Sequence, residues 1–158
     1  MIAVIGCGNP NRQDDGIGPA IINRLRARGQ VSDSVRLLDA GTDGMAVMFA
    51  ARGCRTLILI DAVRSQGEPG AIFEVPGSEL ERPYAAGLNL HDFRWDAALY
   101  AGRQIFRDSF PTDIVVLLVE ARDLGLGTTL SPPVDVAADA VATRIIALVA
   151  DRCAIIRD

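Results

Sequence analysis

Short, unbroken apolar runs alternate along this chain with longer stretches in which apolar residues recur every three or four positions. Ile2-Ala3-Val4-Ile5, Leu57-Ile58-Leu59-Ile60 and the stretch from Asp113 to Val119, apolar after its first residue, carry no polar residue on either strand face. Such runs suit strands covered on both sides, since a sheet with one wet face would alternate. Between them, residues 14 to 28 set Ile17, Ile21 and Leu25 on one helical stripe. Val35-Arg36-Leu37-Leu38 reads as a short second strand ending at Asp39. The turn Ala40-Gly41-Thr42-Asp43-Gly44 then feeds a helix with Met45, Met48 and Phe49 expected inward, closed by Gly53-Cys54.

This strand–helix–strand–helix–strand order predicts a parallel sheet with crossover helices. Past Asp61 the alternation weakens. Gly67-Glu68-Pro69-Gly70 is a turn, and Ala71-Ile72-Phe73-Glu74-Val75 a short strand. So short a link leaves no room for a crossover helix, which makes this strand an antiparallel edge. Residues 76 to 91 form a connection long enough in a compact domain to suggest function. A helix from about Asp92 to Phe106 follows, with Phe93, Ala97, Tyr100 and Ala101 on one face. After the Asp113-to-Val119 strand, the loop Leu124-Gly125-Leu126-Gly127 leads to Ser131-Pro132-Pro133, a helix start with prolines in its first turn. That last helix carries Val136, Val141, Ile145, Ile146 and Val149. The expected fold is α/β: a three-layer α/β/α sandwich with a mostly parallel five-stranded sheet and one antiparallel edge strand, residues 1 to 158 making one domain.

A chain of 158 residues buries roughly 70% of the surface it exposes when unfolded. Lys+Arg 16 against Asp+Glu 20 argues against nucleic acid as a partner, which needs a concentrated basic surface. No apolar stretch approaches the roughly 20 residues that cross a bilayer, and no secretory leader is evident. Three cysteines without paired spacing, Cys7, Cys54 and Cys153, suit a cytoplasmic protein with reduced thiols. Cys7 and Cys54 flank apolar runs and are expected to be small buried hydrophobes.

The candidate chemistry lies where the strands end. Ile2-Ala3-Val4-Ile5 opens into Gly6-Cys7-Gly8-Asn9-Pro10 and Asp14-Asp15-Gly16-Ile17-Gly18, while Leu57 to Ile60 stops at Asp61. Open α/β sheets bind ligands at the carboxyl ends of their strands, so Asp15, Asp39 and Asp61 belong on one rim. Clustered carboxylates need a cation or a shared proton to relieve their repulsion. His91, the single histidine, can return to that rim through the long connection; with Asp15 and Asp61 it would suit a borderline divalent metal. Asp14 and Asp15 also have a plainer reading, one capping a helix and the other meeting its positive end. Gly16 and Gly18 cost that helix roughly 1 kcal/mol each against alanine, which makes sense where something approaches closely. Asp43 and Asp92 are expected in turns and caps.

A dinucleotide loop is the first competitor, with Gly6 and Gly8 in its first two glycine positions and Asp39 as a ribose-binding acid. Asn11 stands at its third glycine, Pro10 removes a donor, and Asp14 and Asp15 occupy the anion site, so no organic cofactor is expected.

The ordered set Gly6-x-Gly8-Asn9-x-x-x-x-Asp14-Asp15-Gly16-x-Gly18, Leu38-Asp39-Ala40-Gly41-Thr42-x-Gly44, Leu59-Ile60-Asp61-Ala62 and a histidine opening a helix resembles the nickel–iron hydrogenase maturation endopeptidases. Leu124-Gly125-Leu126-Gly127 and Leu130-Ser131-Pro132 resemble that family's closing segment. The resemblance covers essentially the whole chain. It implies a protease that removes a C-terminal extension from a nickel-loaded hydrogenase large subunit precursor. Asp15, Asp61 and His91 match the metal-contacting positions, the nickel arriving with the substrate. Asn9, Asp39, Gly41 and Thr42 would shape the substrate cleft, and a monomer is expected. The chain departs from the family pattern at Asp92-Phe93-Arg94-Trp95-Asp96, which is bulkier and more charged. That departure bears on which large subunit is accepted.

How the peptide bond breaks stays open at this level. Asp15 or Asp61 can serve as general base on a water, or nickel can polarise the carbonyl; no Ser/His/Asp or Cys/His set is evident unless Cys7 is exposed. A peptidyl-tRNA hydrolase-like esterase shares only the opening Gly-x-Gly-Asn-Pro. A nickel chaperone or sensor would use the same residues without proteolysis.

Overall fold

The computed structural model describes residues 1–84, 89 and 92–154. His91 lies outside the described residues. The strands are β1 (Ile2–Cys7), β2 (Val35–Gly41), β3 (Thr56–Val63), β4 (Ile72–Pro76) and β5 (Asp113–Glu120), in sheet order β2-β1-β3-β5-β4. All neighbours run parallel except β4 against β5, which is antiparallel at the edge. The helices are α1 (Ile17–Arg28), α2 (Gly44–Ala51), α3 (Trp95–Phe106) and α4 (Pro132–Ala154). The three-layer, mostly parallel sandwich expected from the apolar pattern is the one observed.

Alternation survives even inside the all-apolar strands. Ile2, Val4, Ile58, Ile60, Leu117 and Val119 pack with α1 and α4 on one face; Ala3, Ile5, Leu57, Leu59 and Val116 pack with α2 and α3 on the other. Each strand is therefore buried on both sides, which is why none reads as period two. Helices α1 and α2 leave β1 and β2 toward opposite faces. The crossovers diverge between β1 and β3, opening a crevice at their carboxyl ends.

Three details differ from the sequence reading. Met45 and Phe49 are exposed, by 37% and 53%, while Val47, Met48 and Ala51 turn inward. Helix α2 is apolar all round (GMAVMFAA), so its pattern carries no phase that tells the inner face from the outer. Val136 is 72% exposed, one position off the buried Val134, Ala137 and Val141. Helix α3 begins at Trp95 rather than near Asp92, and Asp92 does not cap it.

Gly18 also has its explanation here. A Cβ on it would sit 2.2 Å from the Cys7 carbonyl oxygen, and one on Gly6 would sit 2.4 Å from the Gly18 carbonyl oxygen. What approaches the helix start is strand β1 itself, backbone against backbone. Among the described residues no helix is long and apolar enough to cross a membrane.

Candidate functional site

At the exit of β1 the chain turns through Gly8, whose φ of +123° is barred to most side chains. Its N–H donates to the Gly41 carbonyl at the end of β2 (2.8 Å). A Cβ there would meet the Asp15 carbonyl oxygen at 1.8 Å and would lie 3.5 Å from Asp61 Oδ1. Gly8 is thus the spacer between the Asp15 backbone and the Asp61 side chain, and the Asp15 charge is felt at Asp61. Asp15 is half-buried, and its Oδ2 accepts the Asn9 N–H at 2.9 Å. Asn9 Oδ1 in turn accepts the Asn11 N–H, fixing the turn that carries Asp15 to the rim.

Asp61 ends the apolar run of β3 and is only 2% exposed. Its Oδ1 accepts the Ala62 N–H at 2.8 Å. Among the described residues its Oδ2 accepts two donors, Trp95 Nε1 at 2.7 Å and Arg94 Nη2 at 3.2 Å. Burial pushes its pKa up. The Trp95 hydrogen bond, the Arg94 charge and the Ala62 N–H pull it down, and the nearby Asp15 charge pushes it up again; the net shift is upward. Asp61 therefore holds a proton more readily than an ordinary aspartate.

Asp39 stands level with Gly6 on the neighbouring strand and is exposed, its Oδ1 accepting the Gly41 N–H at 2.9 Å. Asp43 caps α2 by accepting the Ala46 N–H. Gly41 and Thr42 line a small cleft between Gly8 and the Arg94–Trp95 pair, with about 20 Å³ of free space, room for about one water. Gly44 permits the closure: a Cβ on it would lie 2.2 Å from the Phe93 carbonyl oxygen. Cys7 is buried at the bottom of this rim, 4% exposed. Burial first, then the carboxylates of Asp61, Asp39 and Asp15, push its thiol well above the ordinary range, against the Arg94 charge. A thiol so held is no nucleophile.

Asp14 has a job the sequence did not disclose. It is fully buried and does not cap α1, whose N-cap is Gly16. Its carboxylate instead accepts the N–H groups of Arg122, Asp123 and Ser131 and the Ser131 hydroxyl, all within 2.9 Å. Burial pushes its pKa up, but these bonds outweigh burial and the net shift is downward. Asp14 thereby ties the β5–α4 connection to the loop bearing Asp15. Arg94 and Trp95 stood out in sequence only as a departure from a family pattern; their grip on Asp61 had no sequence signal, because a neutral indole partner has no required spacing. Among the described residues, no three His, Cys, Asp or Glu side chains gather closely enough to hold a metal ion.

Residues 19–148 match the family model described as HycI, hydrogenase maturation protease. The chain belongs to that family. The matched stretch begins after Asp15 and takes in Asp61 and His91. Membership in the hydrogenase maturation proteases makes the chain a peptidase by family. Among its relatives, the hydrogenase 2 maturation protease of Escherichia coli K12 is 29% identical over 135 residues, covering 85% of this chain and 81% of that one. The hydrogenase expression/formation protein HoxM of Azotobacter vinelandii is 29% identical over 135 residues, covering 84% of this chain; the chain spans 64% of HoxM's length. The fold matches the hydrogenase maturating endopeptidase HybD from E. coli with a TM-score of 0.80 at 24% identity, over 96% of this chain and 93% of that one. It also matches the solution structure of an E. coli endopeptidase with a TM-score of 0.77 at 26% identity, over 93% and 90% of the two chains.

Proposed function

We propose that this hydrogenase maturation protease removes the C-terminal extension of a nickel–iron hydrogenase large subunit precursor, and that Asp15 and Asp61 recognise the nickel the precursor carries. The observation that carries this reading is the convergence of the two aspartates around Gly8, at the crevice where β1 and β3 end. The Asp15 charge raises the Asp61 pKa, a repulsion that a substrate-borne cation relieves. They leave coordination positions open for ligands the substrate supplies. His91, outside the described residues, is the third contact implied by the sequence resemblance. Asn9, Asp39, Gly41 and Thr42 would shape the substrate cleft, as the sequence resemblance implies; of these, Gly41 and Thr42 line the small cleft beside Arg94 and Trp95.

For the cleavage itself, a carboxylate takes one proton from a water as the water oxygen adds to the scissile carbonyl carbon. The C–N bond then breaks and the leaving amine takes up a proton. Asp15 is the more exposed of the pair and the one solvent reaches directly; Asp61 is the one whose burial raises its pKa. Three free cysteines, none in a disulfide, fit a cytoplasmic setting.

The test is intact-mass analysis of nickel-loaded precursor after incubation with this protein, with nickel-free precursor and a His91→Ala variant alongside. Loss of a defined C-terminal peptide that requires both nickel and His91 supports the reading. Tight complex formation without any mass change replaces it with a nickel-carrier role.

A further inference from the structure

We propose that Arg94 is a displaceable counter-ion, whose guanidinium occupies, in the substrate-free protein, the place beside Asp61 that a substrate-borne divalent cation takes, so that free cations are refused. The inference rests on the nickel reading of Asp61 given above. Three observations carry it.

First, Asp61 is buried and, among the described residues, its Oδ2 meets one charged partner, Arg94 Nη2 at 3.2 Å. A buried carboxylate without a cation is costly, so this contact has an electrostatic reason to exist. Second, the two partners of Asp61 Oδ2 are anchored differently. Trp95 is half-buried at the first turn of α3, and the preceding Phe93–Arg94 backbone lies directly against Gly44. The Arg94 side chain, by contrast, is 61% exposed while that of Asp61 is 3% exposed. The guanidinium can therefore swing into solvent without moving the backbone that carries it, while the indole keeps Asp61 oriented. Third, Arg94 reaches Asp61 from the cleft it lines together with Gly8, Gly41 and Thr42. Arg94 lines that cleft and Asp61 does not.

The consequence is selectivity by charge. A free divalent ion approaching Asp61 must expel Arg94 unaided and against like-charge repulsion. A cation delivered inside a protein partner arrives with contacts along the cleft that compensate for that expulsion. Arg94 is thus a specificity-determining residue and Trp95 a positioning residue.

Trp95 is the single tryptophan of the chain, so intrinsic fluorescence reports from this site alone. The experiment titrates untagged full-length protein with NiCl2, following heat and Trp95 emission together. It uses the wild type, Arg94→Gln, Arg94→Lys and the double variant Arg94→Gln/Asp61→Asn, each checked for an intact thermal transition. Arg94→Gln is expected to bind Ni2+ roughly tenfold more tightly than wild type, with quenching of Trp95. Arg94→Lys keeps the charge and is expected to stay near wild type, and the double variant to lose the gain. An Arg94 that merely braced the fold would lower the melting temperature and weaken binding instead, which overturns the proposal. Equal Ni2+ affinity with and without Arg94, still dependent on Asp61, overturns the counter-ion role and leaves the nickel reading standing. Binding indifferent to Asp61 in every variant overturns both.

Discussion

Asp14 holds Ser131 twice, by its backbone N–H at 2.7 Å and by its hydroxyl at 2.8 Å. With the Arg122 and Asp123 N–H groups on the same carboxylate, it bridges two loops far apart in sequence. Removing it takes the acceptor from three backbone N–H groups and a hydroxyl at once. Asp14→Ala should therefore cost about 3 kcal/mol or more, read by chemical denaturation. A variant within about 0.5 kcal/mol of wild type, the range of an ordinary surface change, would show that the loops do not depend on this carboxylate.

Acid should find the same joint. Hydrogen bonding, overcoming burial, leaves the Asp14 pKa below its unfolded value. Asp113 shifts the same way, held down chiefly by the Arg152 guanidinium, which bonds it at 2.6 and 2.9 Å. For a lowered pKa the stability contribution is complete above the unfolded value, about 4, and is lost as pH falls through the folded one. Asp61 is raised and has the opposite sign, so it does not add to the loss. Urea midpoints should thus fall steeply below about pH 4. The gap between wild type and Asp14→Asn should narrow over that fall; a gap constant from pH 7 to pH 3 would contradict the assignment.

Gly18→Ala ought to be far more damaging than its helix propensity suggests. Alanine is favoured in a helix by about 1 kcal/mol over glycine, yet its methyl would stand 2.2 Å from the Cys7 carbonyl oxygen and 2.5 Å from the Cys7 nitrogen. Both are backbone atoms of β1, an interior strand paired on both sides, and cannot step aside. We expect a net destabilisation of about 2 kcal/mol or more, and loss of processing activity because α1 moves away from the turn carrying Asp15. A stabilised Gly18→Ala would refute the close packing.

Thiol chemistry gives a rapid check on the rim. Cys7 and Cys54 are buried and Cys153 is half-exposed. Iodoacetamide applied to the native protein should label Cys153 first and leave Cys7 untouched until unfolding. Early labelling of Cys7, seen by peptide mass mapping, would mean the cleft is open to reagents and would restore a thiol to the candidate chemistry.

Much of the architecture was legible because buried parallel strands announce themselves as short apolar runs, and Asp61 stood out by ending one. The antiparallel β4 was legible from the brevity of its link to β3. The inner face of α2 was not, since an all-apolar helix has no phase. Nor was the division of labour between Asp14 and Asp15. Adjacent carboxylates look alike in sequence; only the β5–α4 connection, more than a hundred residues on, tells which one is turned inward. The same holds for Trp95 and Arg94, whose partner lies across the crevice on β3.

Strand β4 also constrains the order in which this molecule can assemble. Although it precedes β5 in the chain, its hydrogen-bonded neighbour in the sheet is β5, which lies between it and β3. A growing chain that has reached β4 cannot yet seat it, and β3 stays open along one side until residues 113 to 120 arrive. Parallel strands depend on such late, long-range closures and fold slowly for that reason. The nascent protein therefore carries an apolar ribbon with an open edge through the making of the segment that closes over Asp61. Its working surface is among the last parts to be finished.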